Sequence, residues 1–234
     1  MKPNGKVLQY QATTVWQRLA GTIVYALFEL CFWLFLWRWN RGTVHGTLPC
    51  SPVVITPNHS SYLDWLLLDV ICRRKFGRHV TFLAKRKVVR NPLFAALARS
   101  RGAIVFDEAS RTQAVSLTVK TLSRTNDNSP PAVCIFPEGT RSRTGEKYPL
   151  FCGAATLARK SNACIVPVAL CGFWEVWPPH RKLPTLHRIG LSVHFLPPIN
   201  PNGSEEDMTL VEDSINRAYA IVRRTRRERD GSQQ

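Results

Sequence analysis

The sequence predicts an α/β fold: a mostly parallel mixed sheet flanked by helices, preceded by an N-terminal hydrophobic helical segment. Three observations carry this. Hydrophobic residues make up 44% of the 234 residues, enough for a full core. From about Val44 onward, short β-branched runs alternate with helical stretches, the pattern of strands joined by crossover helices. Before that point, Val15 to Trp39 is almost continuously apolar.

The apolar segment is broken only by Gln17, Arg18, Thr22, Glu29 and Arg38. About 20 apolar residues suffice to cross a bilayer as a helix. Trp33, Trp37 and Trp39 gather at one end with Arg38 and Arg41, as interfacial aromatics and cations do. Glu29 is costly in lipid, which favours a segment lying in the interface, or two short helices dipping into one leaflet. A long buried helix is the other reading. No small-residue cleavage site follows, so a signal peptide is not expected.

Beyond it, strands are expected at Pro52–Thr56, Val80–Ala84, Ala103–Asp107, Ala132–Phe136, Ile165–Leu170 and Leu191–Leu196. Helices are expected at Ser60–Lys75, Asn91–Ser100, Ser110–Arg124, Phe151–Ser161 and Ser204–Arg227. This divides the chain into an N-terminal membrane-associating segment (1–43), an α/β domain (44–203) and a C-terminal basic amphipathic helix with its tail (204–234).

The formal net charge is +16. Such an excess favours a polyanionic partner: nucleic acid, an anionic membrane surface or a phosphorylated substrate. In the C-terminal helix Leu210, Val211, Ile215, Ala218, Ile221 and Val222 recur at helical spacing among arginines. It reads either as an ordinary amphipathic surface helix or as an attachment to anionic lipid, at about 1 kcal/mol per basic residue near the surface. No helix-turn-helix or aromatic-basic platform is evident, so nucleic acid is not expected. The seven cysteines are odd in number and include no Cys-x-x-Cys, which suits small hydrophobes in a reducing compartment. His45, His79, His180, His187 and His194 form no ligand spacing, and no metal is expected.

Two segments carry chemistry. In Asn58-His59-Ser60-Ser61-Tyr62-Leu63-Asp64-Trp65 the histidine follows an expected strand and precedes an expected helix, with Ser60 or Ser61 as N-cap. At about 100° per residue, five positions turn about 500°, so His59 and Asp64 cannot meet on one helix face. They meet if His59 sits in the preceding turn and folds back. Asp64 would then orient one imidazole nitrogen and leave the other as a base. A base without an enzyme nucleophile points to a substrate hydroxyl. The second segment is Phe136-Pro137-Glu138-Gly139-Thr140-Arg141-Ser142-Arg143, at a strand's C-terminal end, where open α/β sheets place ligands. Its donors and positive charge suit a phosphate or carboxylate, although a plain basic turn has the same composition.

Together these segments resemble the glycerolipid acyltransferase family, whose best-known members are 1-acylglycerol-3-phosphate acyltransferases. Weaker elements of the resemblance are Val44-His45-Gly46, Lys85 with Val88 and Pro92, Gly102 to Asp107, and Ile165-Val166-Pro167-Val168. The resemblance implies that His59 deprotonates an acceptor hydroxyl, which attacks the thioester of acyl-CoA or acyl carrier protein, while Asp64 orients His59. It implies that Glu138, Gly139, Thr140 and Arg141 position the acceptor, with Arg141 and Lys85 on its phosphate, and that Pro167 and Val168 shape the acyl pocket. It implies a membrane-associated enzyme of phospholipid biosynthesis with no bound cofactor, and the reducing compartment that the cysteines suit makes the cytoplasmic face of the (inner) membrane the expected location. The implied acceptor is the lysolipid 1-acyl-sn-glycerol-3-phosphate. Two departures bear on it: Asp107 is followed by Glu108 where the family carries Arg, leaving Arg111 as the candidate replacement, and Leu150-Phe151-Cys152-Gly153 lacks the family's lysine. Another lysolipid, such as a lyso-ornithine lipid, is therefore the alternative acceptor. A non-enzymatic basic protein is the alternative of another class.

Overall fold

A computed structural model of the chain describes residues 7–9, 15–31, 33, 37–38, 40–124, 129–146, 148–185, 187–202 and 204–231. The elements are β1 (Leu8–Gln9), α1 (Val15–Cys31), β2 (Thr43–His45), β3 (Val53–Pro57), α2 (Asp64–Phe76), β4 (Val80–Lys85), α3 (Pro92–Ser100), β5 (Ile104–Phe106), α4 (Arg111–Leu122), β6 (Ala132–Cys134), α5 (Gly153–Lys160), β7 (Cys164–Cys171), α6 (Phe173–Val176), β8 (Ser192–Phe195) and α7 (Glu205–Gly231).

The strands form one eight-stranded sheet in the order β1-β5-β4-β6-β3-β7-β8-β2. Pairing is parallel except at β1–β5 and β7–β8, so the sheet is mixed and mostly parallel, as expected. Its central strands are apolar on both faces because both are covered. Val53, Ile55, Ala132, Cys134, Val166, Val168 and Leu170 face one layer, built with Leu63, Leu67, Leu68 and Ile71 of the α2 region and Ala98 of α3. Val54, Val133, Ile165, Ala169 and Cys171 face the other, against Leu122 of α4, the alanines of α5, and Met208, Val211, Ile215 and Ala218 of α7.

Helix α1 lies outside α2 and α3, with Tyr25 packed against Leu66, Val70 and Leu97. Its buried polar residues explain its attachment. Tyr25 donates to Asp69, which also accepts from Arg101 at 2.9 Å. Glu29 accepts from Arg73 and Arg74 of α2. The carboxylate that is costly in lipid therefore points into the protein. The opposite face of α1 exposes Ile23, Leu27 and Leu30, spaced i, i+4, i+7. No helix among the described residues is long and apolar enough to cross a membrane. Trp33 stacks on Trp37 with centroids 6.0 Å apart, and Trp37 is buried in the core beside Gly42, so these two indoles serve packing rather than an interfacial belt. Trp39 lies outside the described residues.

Several element ends differ from expectation for local reasons. The helix expected from Ser60 begins at Asp64, because the Ser60 and Ser61 N–H groups donate to the Asp64 carboxylate at 2.7 and 2.8 Å and hold a turn ahead of it. Neither serine is the N-cap; that position is Leu63. The strand expected from Ala103 to Asp107 ends at Phe106, and Asp107 instead caps the 3-10 turn Glu108–Ser110. Of the cysteines, Cys72, Cys134 and Cys171 are buried small hydrophobes as expected, whereas Cys31, Cys50 and Cys152 are exposed.

Candidate active site

The two chemical segments meet because β3 and β6 are parallel neighbours, which brings the chain after each to the same edge of the sheet. Asp64 is fully buried at the first turn of α2, a position that favours an anion. Its Oδ2 accepts from Ser60 N, Ser61 N and His59 Nδ1, the last at 2.9 Å. The three bonds wrap the intervening turn around one carboxylate, so the five-residue spacing closes by fold-back.

His59 is held from the other side by the second segment. Its N–H donates to Glu138 Oε1 at 2.8 Å, and its carbonyl accepts from Ser142 N at 2.8 Å. The imidazole stacks on Phe136 with centroids 3.9 Å apart. With Nδ1 engaged by Asp64, Nε2 is the nitrogen left for a substrate. The ring stands where two cavities meet, and it lines both.

The smaller cavity, about 220 Å³, is an apolar groove on the α2–α3 side, lined by Trp65, Phe82, Val88, Phe94, Ala98 and Phe106 among others. Lys85, Lys87 and Arg141 add positive charge, and the guanidinium of Arg141 lies 3.9 Å over the Tyr62 ring. Gly139, with φ of +64°, sits so that an added Cβ would come within 3.6 Å of Lys85 Nζ. The larger cavity, about 1000 Å³, lies on the α7 side between the Glu138–Glu146 loop, α6 and α7.

Of the residues singled out from sequence, His59, Lys85, Gly139, Thr140 and Arg141 converge on the groove. Glu138 is buried and turned toward backbone: besides His59 N it accepts from Tyr148 N at 3.4 Å. Arg111 is exposed at the start of α4, pairs with Glu108 and lines neither of these cavities. Pro167 and Val168 are buried in β7 and line neither cavity; the groove's apolar walls come from α2, α3, β4 and β5 instead.

Sequence reasoning assigned no role to Asn58, Phe136 or Tyr219. Asn58 Oδ1 accepts from Leu170 N at 2.7 Å, and its Nδ2 lies 2.8 Å from Tyr219 Oη, tying the base of the turn to β7 and α7. Asn58 and Phe136 flank the recognised residues and were available as signals. Tyr219 lies 161 positions away from Asn58, and nothing local points to it.

The fold thus carries a His–Asp pair and a Glu-Gly-Thr-Arg loop at one sheet edge. The Acyltransferase family model matches residues 41–171, more than half of the chain, and the chain belongs to that family. Among similar proteins, the 1-acyl-sn-glycerol-3-phosphate acyltransferase alpha of Ovis aries is 27% identical over 78% of this chain and 61% of its own length. The 1-acyl-sn-glycerol-3-phosphate acyltransferase of Saccharomyces cerevisiae is 30% identical over 67% of this chain and 50% of its own. The chain thus spans about three fifths or less of the length of these curated relatives. The crystal structure of the 1-acyl-sn-glycerophosphate (LPA) acyltransferase PlsC from Thermotoga maritima shares the fold, with a TM-score of 0.65 at 23% identity over 90% of this chain and 84% of that one.

Proposed function

We propose that this chain is an acyltransferase of phospholipid synthesis that moves a fatty acyl group from a thioester to the free hydroxyl of a lysolipid at a membrane surface. The observation that carries the reading is the His59 ring, fixed through Nδ1 by buried Asp64 and presented at the junction of the apolar groove and the polar cavity. In this reading the lysolipid lies in the groove, with its phosphate on Lys85 and Arg141 beside Gly139 and Thr140. His59 Nε2 takes the proton of the acceptor hydroxyl. The oxygen forms a C–O bond to the thioester carbonyl, and Asp64 stabilises the imidazolium. The tetrahedral adduct then breaks its C–S bond, and the leaving thiolate takes the proton from His59. Glu138 acts by holding the His59 backbone. Arg111 has no part, and the walls of the groove, rather than Pro167 and Val168, receive the acyl chain. No bound cofactor is required.

The acceptor that fits the groove's charge is 1-acyl-sn-glycerol-3-phosphate, the substrate in the relatives' names. Residues 1–43 serve as the membrane-facing segment, 44–203 as the catalytic unit and 204–234 as the basic helix and tail. The exposed face of α1, formed by Ile23, Leu27 and Leu30, supports an interfacial seat on the bilayer. The free thiols fit a reducing, cytoplasmic side of the (inner) membrane.

The test is turnover by purified protein with a labelled acyl thioester and a panel of lysolipids. His59→Ala is expected to lose about 10²–10⁴-fold in turnover while keeping its fold and vesicle binding. Near-normal turnover in that variant would sink the mechanism. Arg141→Ala is expected to raise KM for the phosphate-bearing acceptor about ten- to a hundredfold, the worth of one charge-assisted contact. Preference of the wild type for a lyso-ornithine lipid would overturn the assigned head group.

A further inference from the structure

The larger cavity has no part in the acceptor reading, and its charge is the reverse of the protein's. Lys and Arg outnumber Asp and Glu by 32 to 16 in the chain. Around this cavity Glu138, Glu146, Glu175 and Glu212 stand against one Lys or Arg among the described lining residues, Arg224. Glu138 is committed to the His59 and Tyr148 amides. Glu146, Glu175 and Glu212 form no salt bridge among the described residues. Three such carboxylates facing one arginine favour a cation.

That cation is organic rather than metallic. No three His, Cys, Asp or Glu side chains among the described residues are grouped to hold a metal ion. At about 1000 Å³ the cavity has room for a polar head group. Two other groups on its wall lack a partner among the described residues. Ser60 lines the cavity and is only 7% exposed, and its Oγ makes no hydrogen bond. Trp174 Nε1 is likewise buried and unpaired. A serine hydroxyl can accept from an ammonium, and an indole N–H can donate to a phosphate oxygen. Ser61, by contrast, is committed, its Oγ donating to the Trp177 carbonyl at 2.7 Å.

One loop joins this cavity to the phosphate site. Gly139, Thr140 and Arg141 line the groove, and Ser142, Thr144 and Glu146 line the larger cavity. His59 stands between the two, its carbonyl bonded to Ser142 N at 2.8 Å. A head group laid along this loop passes from the cation of Arg141 to the carboxylate of Glu146. A zwitterionic lipid head has its charges in that order, the phosphate next to glycerol and the ammonium at the end. Helix α7 and this cavity lie across the sheet from α2 and α3, outside which α1 is packed. Such a head therefore extends away from a membrane that receives Ile23, Leu27 and Leu30.

We infer that the larger cavity takes the ammonium end of a zwitterionic lysophospholipid, which gives the enzyme a second acceptor class beside the phosphate monoester. The ammonium sits among Glu146, Glu175 and Glu212, the phosphodiester at Arg141, and the free hydroxyl at His59 Nε2. The acyl step is unchanged. The inference rests on the acyl-transfer reading above and widens its substrate class.

The test uses the full chain in detergent with a labelled acyl thioester. Two acceptors share one acyl chain and one phosphodiester: 1-acyl-sn-glycero-3-phosphoethanolamine and its phosphoglycerol counterpart, which carries hydroxyls in place of the ammonium. The wild type is expected to favour the ethanolamine head at least about tenfold in kcat/KM. Glu146→Gln with Glu175→Gln and Glu212→Gln keeps the shape of the site and removes its charge. This variant is expected to raise KM for the ethanolamine head at least about tenfold without raising that for the glycerol head. Glu212→Lys alone, on the partly exposed surface of α7, is expected to shift the preference in the same direction. Equal use of the two heads by the wild type overturns the ammonium site. So does an equal rise in KM for both heads in the triple variant, which marks the glutamates as structural. A soluble diamine, 1,4-diaminobutane, that displaces the ethanolamine lysolipid at equal concentration assigns the cavity to a free amine and overturns the lipid head. Binding of the ethanolamine lysolipid is also measured on the His59→Ala protein. If no acceptor is acylated yet that binding requires the glutamates, the acyl-transfer reading fails and the ammonium site stands.

Discussion

At the residue scale the central fact is how few bonds hold His59: one to Asp64 through its ring, one to Glu138 through its N–H and one from Ser142 to its carbonyl. Asp64 and Glu138 each hold backbone besides: Asp64 also accepts from the Ser60 and Ser61 amides, and Glu138 from that of Tyr148. A second histidine shows the opposite case. His194 stacks on His45 across the β2–β8 pair with centroids 4.5 Å apart, and its Nε2 is buried without a partner. Burial, and then the neighbouring His45, hold the His194 imidazole below its ordinary value. The folded state therefore resists protonation more than the unfolded chain does. Stability is full above the unfolded value, about pH 6.5, and falls as pH drops below it. Thermal unfolding followed from pH 8 to 5 should show this loss, and His194→Asn should flatten it. Both histidines were visible in the sequence, yet their stacking was not, because it depends on a strand pair formed across 149 positions. The pairing of His59 with Asp64 was legible because it is local, and helix geometry alone excluded the direct route.

At the element scale, sequence periodicity placed the central strands and helices within a few residues, since both are written in local pattern and burial. Ends were less legible where a side chain overrode the pattern, as Asp64 did by drawing two serine amides into a turn before α2. Helix α1 was read from its apolar run, but its inner face is polar. Tyr25, Glu29, Asp69, Arg73, Arg74 and Arg101 form one network between α1, α2 and the end of α3. Asp69→Ala removes its central acceptor and leaves Arg101, whose side chain is only 14% exposed, without a counter-charge. The expected loss is about 3–5 kcal/mol of unfolding free energy, measured by denaturant titration. Asp69→Asn should cost less, since it keeps one accepting oxygen. Arg73 and Arg74, with side chains 31% and 50% exposed, make the Glu29 pairs weaker contributors.

At the scale of the whole molecule, the net charge of +16 was legible at once, but its arrangement was not. Only the layers put the apolar face of α1 and the helix α7 on opposite sides of the sheet. Ile23→Glu with Leu27→Glu should reduce co-sedimentation with anionic vesicles at least about tenfold, as two buried apolar side chains are lost from the interface. The N-terminal chain also has a consequence for how the molecule is made. It pairs β1 with β5 at one sheet edge, crosses over α3 and α2 as α1, and pairs β2 with β8 at the far edge. Both borders of the sheet are thereby sealed by the stretch that precedes β3. That stretch cannot settle until β8 has emerged. Its apolar run must wait while the residues from β3 to β8 are made, and contact with a bilayer would shield it during that interval.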